Sequence, residues 1–380
     1  MENNTVFKKT GNASVIAATV ILSVALWNEY TWYEAVVPYA TLISFAFLGV
    51  ALFCFVTPKE ALHDPDFLVM TAGFVIAAVN IFMTGSGKGA WLTAADVLLV
   101  SYLAGKMRFS KRTVWLVLAY VGFYFFYWTF DVKGYFKGYN TNYGGLVLIT
   151  GFVFAVTGLI AFKKILGGSE KKGERFLFAF ILFMFAWGYN IIAWYRSRCA
   201  LLGFAVFAVL LLVPRKWWGS RAFFASVTGL FTAGAIAVSL IYVWLGQYAR
   251  KFSVRIFYKD IISGRNEIWS DLWGAFSQHP LTGIGSSYKI NVDWMGGIFE
   301  VHNGLLDILI VHGIFVFAAV CYLLVKRLLG LRKYAAADPV SASATAAVFA
   351  ILATSFMENF FIVPPFLLCL LALIAIAGSV

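Results

Sequence analysis

Apolar stretches of roughly 15 to 22 residues recur from one end of this chain to the other, and they decide what it can fold into. Each is about long enough to cross a ~30 Å hydrocarbon core at 1.5 Å per helical residue, so the stretches are read as spanning helices. The pattern places them near residues 12–27, 36–56, 67–83, 91–105, 113–130, 143–162, 175–195, 199–213, 222–245, 304–325, 344–356 and 364–379, about twelve in all. Those at 91–105 and 344–356 are short enough to be re-entrant. With 61% hydrophobic and 13% charged residues among 380, the chain reads as an all-α polytopic membrane protein. Residues 1–380 form one membrane domain, with no soluble domain between the spans.

The basic residues sort by side. About 19 of the 30, among them Lys8, Lys9, Lys59, Lys106, Lys163, Lys164, Arg215, Lys326 and Arg332, fall in alternate loops, as cytoplasmic loops should. The first apolar run follows Lys8 and Lys9 without a clear small-residue cleavage site, so it is read as an uncleaved helix with a cytoplasmic N-terminus. With twelve spans the C-terminus is cytoplasmic too. The remaining cations, including Lys88, Lys133, Lys137, Arg196, Arg198, Arg250, Arg255, Arg265 and Lys289, stand on the outer side, where they suit an anionic ligand or lipid headgroups. That location argues against nucleic acid as a partner. Cys54, Cys199, Cys321 and Cys369 show no CxxC spacing, and the four histidines are scattered, so neither a disulfide framework nor a transition-metal site is suggested.

Every connection is short except the external one over 246–303, between the ninth and tenth spans. It opens with QYARKFSVRIFYKD, basic and aromatic residues suited to the headgroup level. In SGRNEIWSDLWGAFSQHPLTGIG, Ile268, Trp269, Leu272, Trp273 and Phe276 predict an amphipathic helix over 264–278 resting on the membrane face. Ser263 is its expected N-cap, and Pro280, Gly283 and Gly285 its stop. Arg265 falls in the first turn, where a cation opposes the helix dipole by about 0.3 to 1 kcal/mol. A bound phosphate or pyrophosphate reverses that sign, because it is met by helix amides and a guanidinium together.

Residues 176–214 hold two helices and a turn in fewer than 40 residues. The second helix, 199–213, is only about 22 Å long, which draws Arg196 and Arg198 to the outer boundary of the hydrocarbon. An unpaired guanidinium there costs at least ~2.5 kcal/mol, so the expectation is a polar cavity, with Arg198 facing the ligand and Arg196 either joining it or snorkelling to headgroups.

In FEVHNGLLDILIVHG, residues 299–313, a span beginning near His302 puts Leu306, Leu309 and Gly313 on one face. Gly313 lies about 16 Å further along and lets another helix approach. His302 is then held at the outer mouth, with Asn303 beside it. An imidazole that is mostly neutral at pH 7 takes a proton from a hydroxyl, and nearby arginines favour its neutral form while offsetting charge on a departing pyrophosphate. Glu300 is an alternative base.

These three signals, in this order around one external loop, resemble the O-antigen ligase and polymerase superfamily over roughly residues 190–325. Its Ser-Arg followed by small and leucine residues matches Ser197, Arg198, Cys199, Ala200, Leu201 and Leu202. Its Gly-Arg helix followed by His-Pro-Leu-x-Gly-x-Gly matches Gly264, Arg265, His279, Pro280, Leu281, Gly283 and Gly285. The ligase pattern of His-Asn, nine residues and Gly matches His302, Asn303 and Gly313, but it wants Gly, Thr or Tyr where this chain has Val316.

The resemblance implies a GT-C type glycosyltransferase of a Gram-negative inner membrane, active on the periplasmic face and needing neither metal, cofactor nor nucleotide sugar. Its donor would be an undecaprenyl-diphosphate-linked O-antigen. The acceptor is a sugar hydroxyl of lipid A core in a ligase, or the end sugar of another lipid-linked unit in a polymerase. By the same resemblance, His302 is the base of an inverting transfer, and Arg198, Arg265 and Arg196 hold the diphosphate. Asn303, Glu300 and Lys137 are supporting candidates, Lys137 standing with Lys133 in DVKGYFKGYNTNYGG. The His-Asn match favours a ligase over a polymerase. A transporter of lipid-linked glycan would instead show internal repeats and deep polar groups; no repeat is seen, and Asp96, Asp307 and Glu358 are the acids in or near the membrane.

Overall fold

The computed structural model describes residues 39–131, 141–166, 171–248, 255–256, 259–293 and 300–379. Before the long loop come Ala40–Phe55 (α1), Pro58–His63 (α2), Pro65–Thr84 (α3), Lys88–Leu103 (α4), Lys111–Asp131 (α5), Thr141–Leu166 (α6), Lys171–Tyr195 (α7), Arg198–Leu211 (α8), Arg215–Trp218 (α9) and Arg221–Tyr248 (α10). The described part of the loop holds a two-residue antiparallel pair, β1 (Arg255–Ile256) with β2 (Lys259–Asp260), and one helix, α11 (Arg265–Gln278). After it follow α12 (Gly304–Gly330), α13 (Arg332–Ala337), α14 (Pro339–Thr354) and α15 (Pro364–Ala377).

Each expected span from 36–56 onward coincides with a helix; the first, 12–27, lies outside the described residues. Among the described residues five stretches, Pro65–Thr84, Asn142–Lys164, Gly173–Tyr195, Arg221–Gln247 and Gly304–Ala337, are long and apolar enough to cross a membrane. The short stretches at 91–105 and 344–356 are each one unbroken helix of 16 residues, α4 and α14. Outward-facing side chains such as Phe82, 89% exposed, and Leu212, 83% exposed, fit an apolar surrounding.

The centre is built from α4, α14 and α15, which are buried over most of their length. Ala344, Ala346, Ala347, Ala350 and Ala353 leave α14 narrow, so its neighbours approach closely. Gly203 does the same for α8, where a Cβ would meet Thr354 Cγ2 at 2.6 Å. Basic residues that the sequence sorts to one side are paired at the helix ends: Lys106 with Asp64 at 2.7 Å, Lys326 and Arg327 with Asp66 at 2.7 Å each, and Lys164 with Asp338.

Three sequence expectations are corrected in the loop and the helix that follows it. Gly313 has φ 80° and ψ 174°, which interrupts α12 and frees the carbonyls before it. Ile284 and Gly285 donate their N–H groups to the carbonyls of Ile310 and Val311 at 2.9 and 3.2 Å, and Ile314 donates to Pro280 at 3.0 Å. Asn80 of α3 donates to the His312 carbonyl at 2.7 Å. What Gly313 admits is therefore the backbone of the HPLTGIG segment and not another helix. A helix has no spare backbone donors along its side to satisfy those carbonyls, whereas an extended loop does.

The second correction concerns α11. Its Ile268, Trp269, Leu272 and Phe276 pack on Tyr242, Ile290, Val301, Leu306, Leu309 and Ile310, so protein and not membrane covers the apolar face. Ser263 does not cap it either. The N-cap is Gly264, at φ 75°, and makes no side-chain bond.

At Gly313 an added Cβ would stand 2.1 Å from the Leu281 carbonyl oxygen. Gly313→Ala should therefore lose more than the ~1–2 kcal/mol of a left-handed backbone alone, read as a clear fall in thermal unfolding temperature in detergent. Gly49→Ala, in a helix and with nothing within 4 Å, should lower it not at all.

Candidate functional site

The arginine turn is positioned by its own sequence. Arg196 ends α7 at φ 54°, Ser197 caps α8 by accepting from Ala200 N at 3.4 Å, and Arg198 becomes the first residue of α8. Gly145 of α6 makes room, since a Cβ there would lie 2.3 Å from Ser197 Oγ. Half-buried Arg198 then donates to the Asp260 carbonyl and, at 2.7 Å, to Ser263 Oγ. The receiving turn is itself braced: Ile262 N donates to Asp260 Oδ1 at 2.8 Å, and Tyr242 OH donates to the Ile261 carbonyl at 3.0 Å.

Arg265, the first residue of α11, is only 7% exposed. Its guanidinium donates to the Met357 carbonyl at 2.8 Å and to Glu358 Oε1 at 3.0 Å. Asn142 Nδ2 donates to the same carboxylate oxygen at 2.7 Å. The other oxygen, Oε2, stands 3.6 Å from His302 Nδ1, and Glu300 Oε1 stands 3.3 Å from it. Arg198, Arg265, Asn142, Cys199, Tyr242 and Glu358 are among the residues that line a cavity of about 160 Å³. That is room for about five waters.

His302 is fixed from both flanks. The Val301 carbonyl accepts from Trp269 Nε1 at 2.7 Å. Asn303 is fully buried, caps α12 by accepting from Leu306 N at 3.1 Å, and donates to the Ala235 carbonyl at 2.7 Å. Asn303 thus sets where the histidine stands and does not face the cavity.

Of the residues expected from sequence, Arg198, Arg265, His302 and Glu300 gather here. Arg196 is exposed one residue before the cap, and Lys133 and Lys137 lie outside the described residues. Among the described residues the charged groups paired with the imidazole are carboxylates, where arginines were expected, and Arg265 pairs with one of them, Glu358. Asn142 and Glu358 are the additions that site reasoning from sequence missed. Glu358 left a signal, being the one charged residue after Asp338 in an otherwise uncharged C-terminal stretch.

Glu300, His302 and Glu358 each offer one ligand atom within 4.8 Å of one another, a donor set that a divalent cation accepts. The positive charge that Glu358 faces here is the Arg265 guanidinium. Backbone strain marks the same place. Among the described residues the non-glycine positions with positive φ are Arg196, Ser263 at 47° and His302 at 56°, one in each motif.

The fold and site define a helical protein of membrane type that gathers two guanidiniums, a carboxylate and an imidazole at helix ends. Residues 180–321 match the family model of O-antigen ligases, a stretch that includes the arginine turn, α11 and the His302–Gly313 segment. Asn142 and Glu358 fall outside the matched stretch. No curated protein and no solved structure matches the chain.

Removing one partner of a buried ion pair typically costs about 3–5 kcal/mol, whereas replacing both with apolar groups does not. Glu358→Ala should accordingly lower the unfolding temperature sharply. Arg265→Met combined with Glu358→Leu should recover most of the loss, and an undiminished loss in the double variant would deny the pair its structural role.

Proposed function

We propose that the chain is an O-antigen ligase, a metal-independent inverting glycosyltransferase that moves a glycan from undecaprenyl diphosphate to a sugar hydroxyl of lipid A core. The observation that carries this reading is that Arg198 and Arg265 are each the first residue of a helix, and both line one cavity. A cation at a helix N-terminus is unfavourable by itself, and a bound diphosphate would satisfy both guanidiniums and both helix ends together.

In this reading the acceptor oxygen forms a bond to the anomeric carbon as the bond from that carbon to the diphosphate oxygen breaks, which inverts the centre. The acceptor's proton passes to His302. Glu300 and Glu358 stand 3.3 and 3.6 Å from Nδ1, and their negative charge favours the tautomer that carries its proton there and leaves Nε2 to accept another. The diphosphate leaves with its charge met by Arg198 and Arg265. Glu358 supplies the counter-charge to Arg265 while no donor is bound. Around this site we place about twelve spans of GT-C type in a Gram-negative inner membrane, both termini cytoplasmic and the 246–303 loop periplasmic.

One observation favours the polymerase as a second reading: Val316, fully buried in α12, stands where the ligase pattern has Gly, Thr or Tyr. Proteoliposomes given donor with and without lipid A core separate the two, because chain growth without core belongs to a polymerase. His302→Ala should slow transfer about 10²- to 10⁴-fold, and excess chelator should leave wild-type transfer unchanged. A folded His302→Ala protein that still transfers glycan at the wild-type rate would sink the assignment.

A further inference from the structure

The opposite side of α11 opens a second cavity, of about 780 Å³, that the transfer site does not use. Ser270, Asp271, Gly274 and Gln278 of α11 form one wall, and Thr282 and Tyr288 of the following segment line it further. This volume falls in the ~300–1,000 Å³ range of small-molecule sites. Its chemistry differs from that of the smaller cavity: hydroxyls, an amide, an imidazole and one carboxylate line it, and among the described residues neither Lys nor Arg does. A phosphate would find no counter-charge among these side chains. A polyhydroxylated ligand would find both donors and acceptors.

The cavity is built before any ligand arrives. Asp271 Oδ2 accepts from Tyr288 OH at 3.1 Å and from Asn291 N at 3.0 Å, which fixes the carboxylate. The segment beneath it is tied to α12 through Ile284 and Gly285, and to Ser86 through Ser286 N at 2.8 Å. Gly274 is the least expected residue. In mid-helix a glycine costs about 1 kcal/mol relative to alanine, and here no close packing requires it, since a Cβ would meet nothing within 4 Å. What the missing side chain does is leave the cavity open.

We propose that this cavity binds a stretch of glycan, with Asp271 accepting hydrogen bonds from sugar hydroxyls. The identity of the ligand as glycan rests on the transferase reading, and its source is either the donor's glycan or the acceptor's core oligosaccharide. The one helix then serves both substrate parts: Arg265 at its N-terminus for the charged leaving group, and its Asp271–Gln278 face for the sugars.

The test uses the full chain in nanodiscs and two probes freed by mild acid: the oligosaccharide of the donor and the core oligosaccharide of lipid A. Binding is followed by saturation-transfer NMR, without turnover. At least one probe should bind wild type, and bind about tenfold or more weakly to Gly274→Phe and to the nearly isosteric Asp271→Asn. The probe that binds names the source. Equal binding to wild type and both blocking variants, or no binding of either probe to wild type, overturns the proposal. Wild-type protein that binds a probe but transfers nothing would count against the transferase reading while leaving the sugar site in place.

Discussion

The guanidinium of Arg265 is buried, and an uncompensated charge in that position would cost several kcal/mol, so the rest of the site is arranged to bring it a partner. Glu358 arrives from the turn after α14, which fixes the register of that turn against α11. α14 in turn holds α8 through the close approach at Gly203, and α8 presents Arg198. Asn142 closes the group from α6. Such a pair adds little net stability over apolar residues of the same size; here it selects one arrangement of four helices over others.

Strain follows the same logic. Arg196, Ser263 and His302 each hold a backbone conformation that costs of order 1–3 kcal/mol, and each is held by bonds on its neighbours. Ser197 caps α8 beside Arg196, Ser263 itself bonds Arg198, and Val301 and Asn303 bracket His302. Three local conformations aim two guanidiniums and an imidazole, in places where an ordinary helix end would point them elsewhere.

The long helices from α1 onward and the three motifs were legible because their signals are local: apolar run length, an arginine pair in a tight turn, a periodic apolar face. What was not legible came from contacts between distant parts of the chain. Glu358 could be seen as an isolated acid, but nothing nearby in sequence names Arg265, 93 positions away, as its partner. The amphipathic face of α11 was visible, yet hydropathy cannot distinguish lipid from the side of α10 as its cover. Gly313 signalled close approach without revealing that a loop, and not a helix, makes it. Ser263 was read as a cap because its residue type suits one, and its hydroxyl went to Arg198 instead.

The lengths of the helices that meet at the site have a mechanical meaning for a bilayer. α8 and α15 have 14 residues and α14 has 16, giving rises of roughly 21 to 24 Å, and their far ends run into Arg215 and Lys216 or lie near Asp338 and Arg108. Against a ~30 Å hydrocarbon layer, charged ends anchored at one surface leave the opposite ends several ångströms short. Since α14 and α15 are covered by protein over most of their length, the thickness is bridged beside them by α6, of 26 residues, and α10, of 28, which are long and apolar enough to cross. Short central helices inside longer ones let helix ends, with their unsatisfied backbone groups and charged first residues, lie within the depth of the layer while protein and not lipid surrounds them.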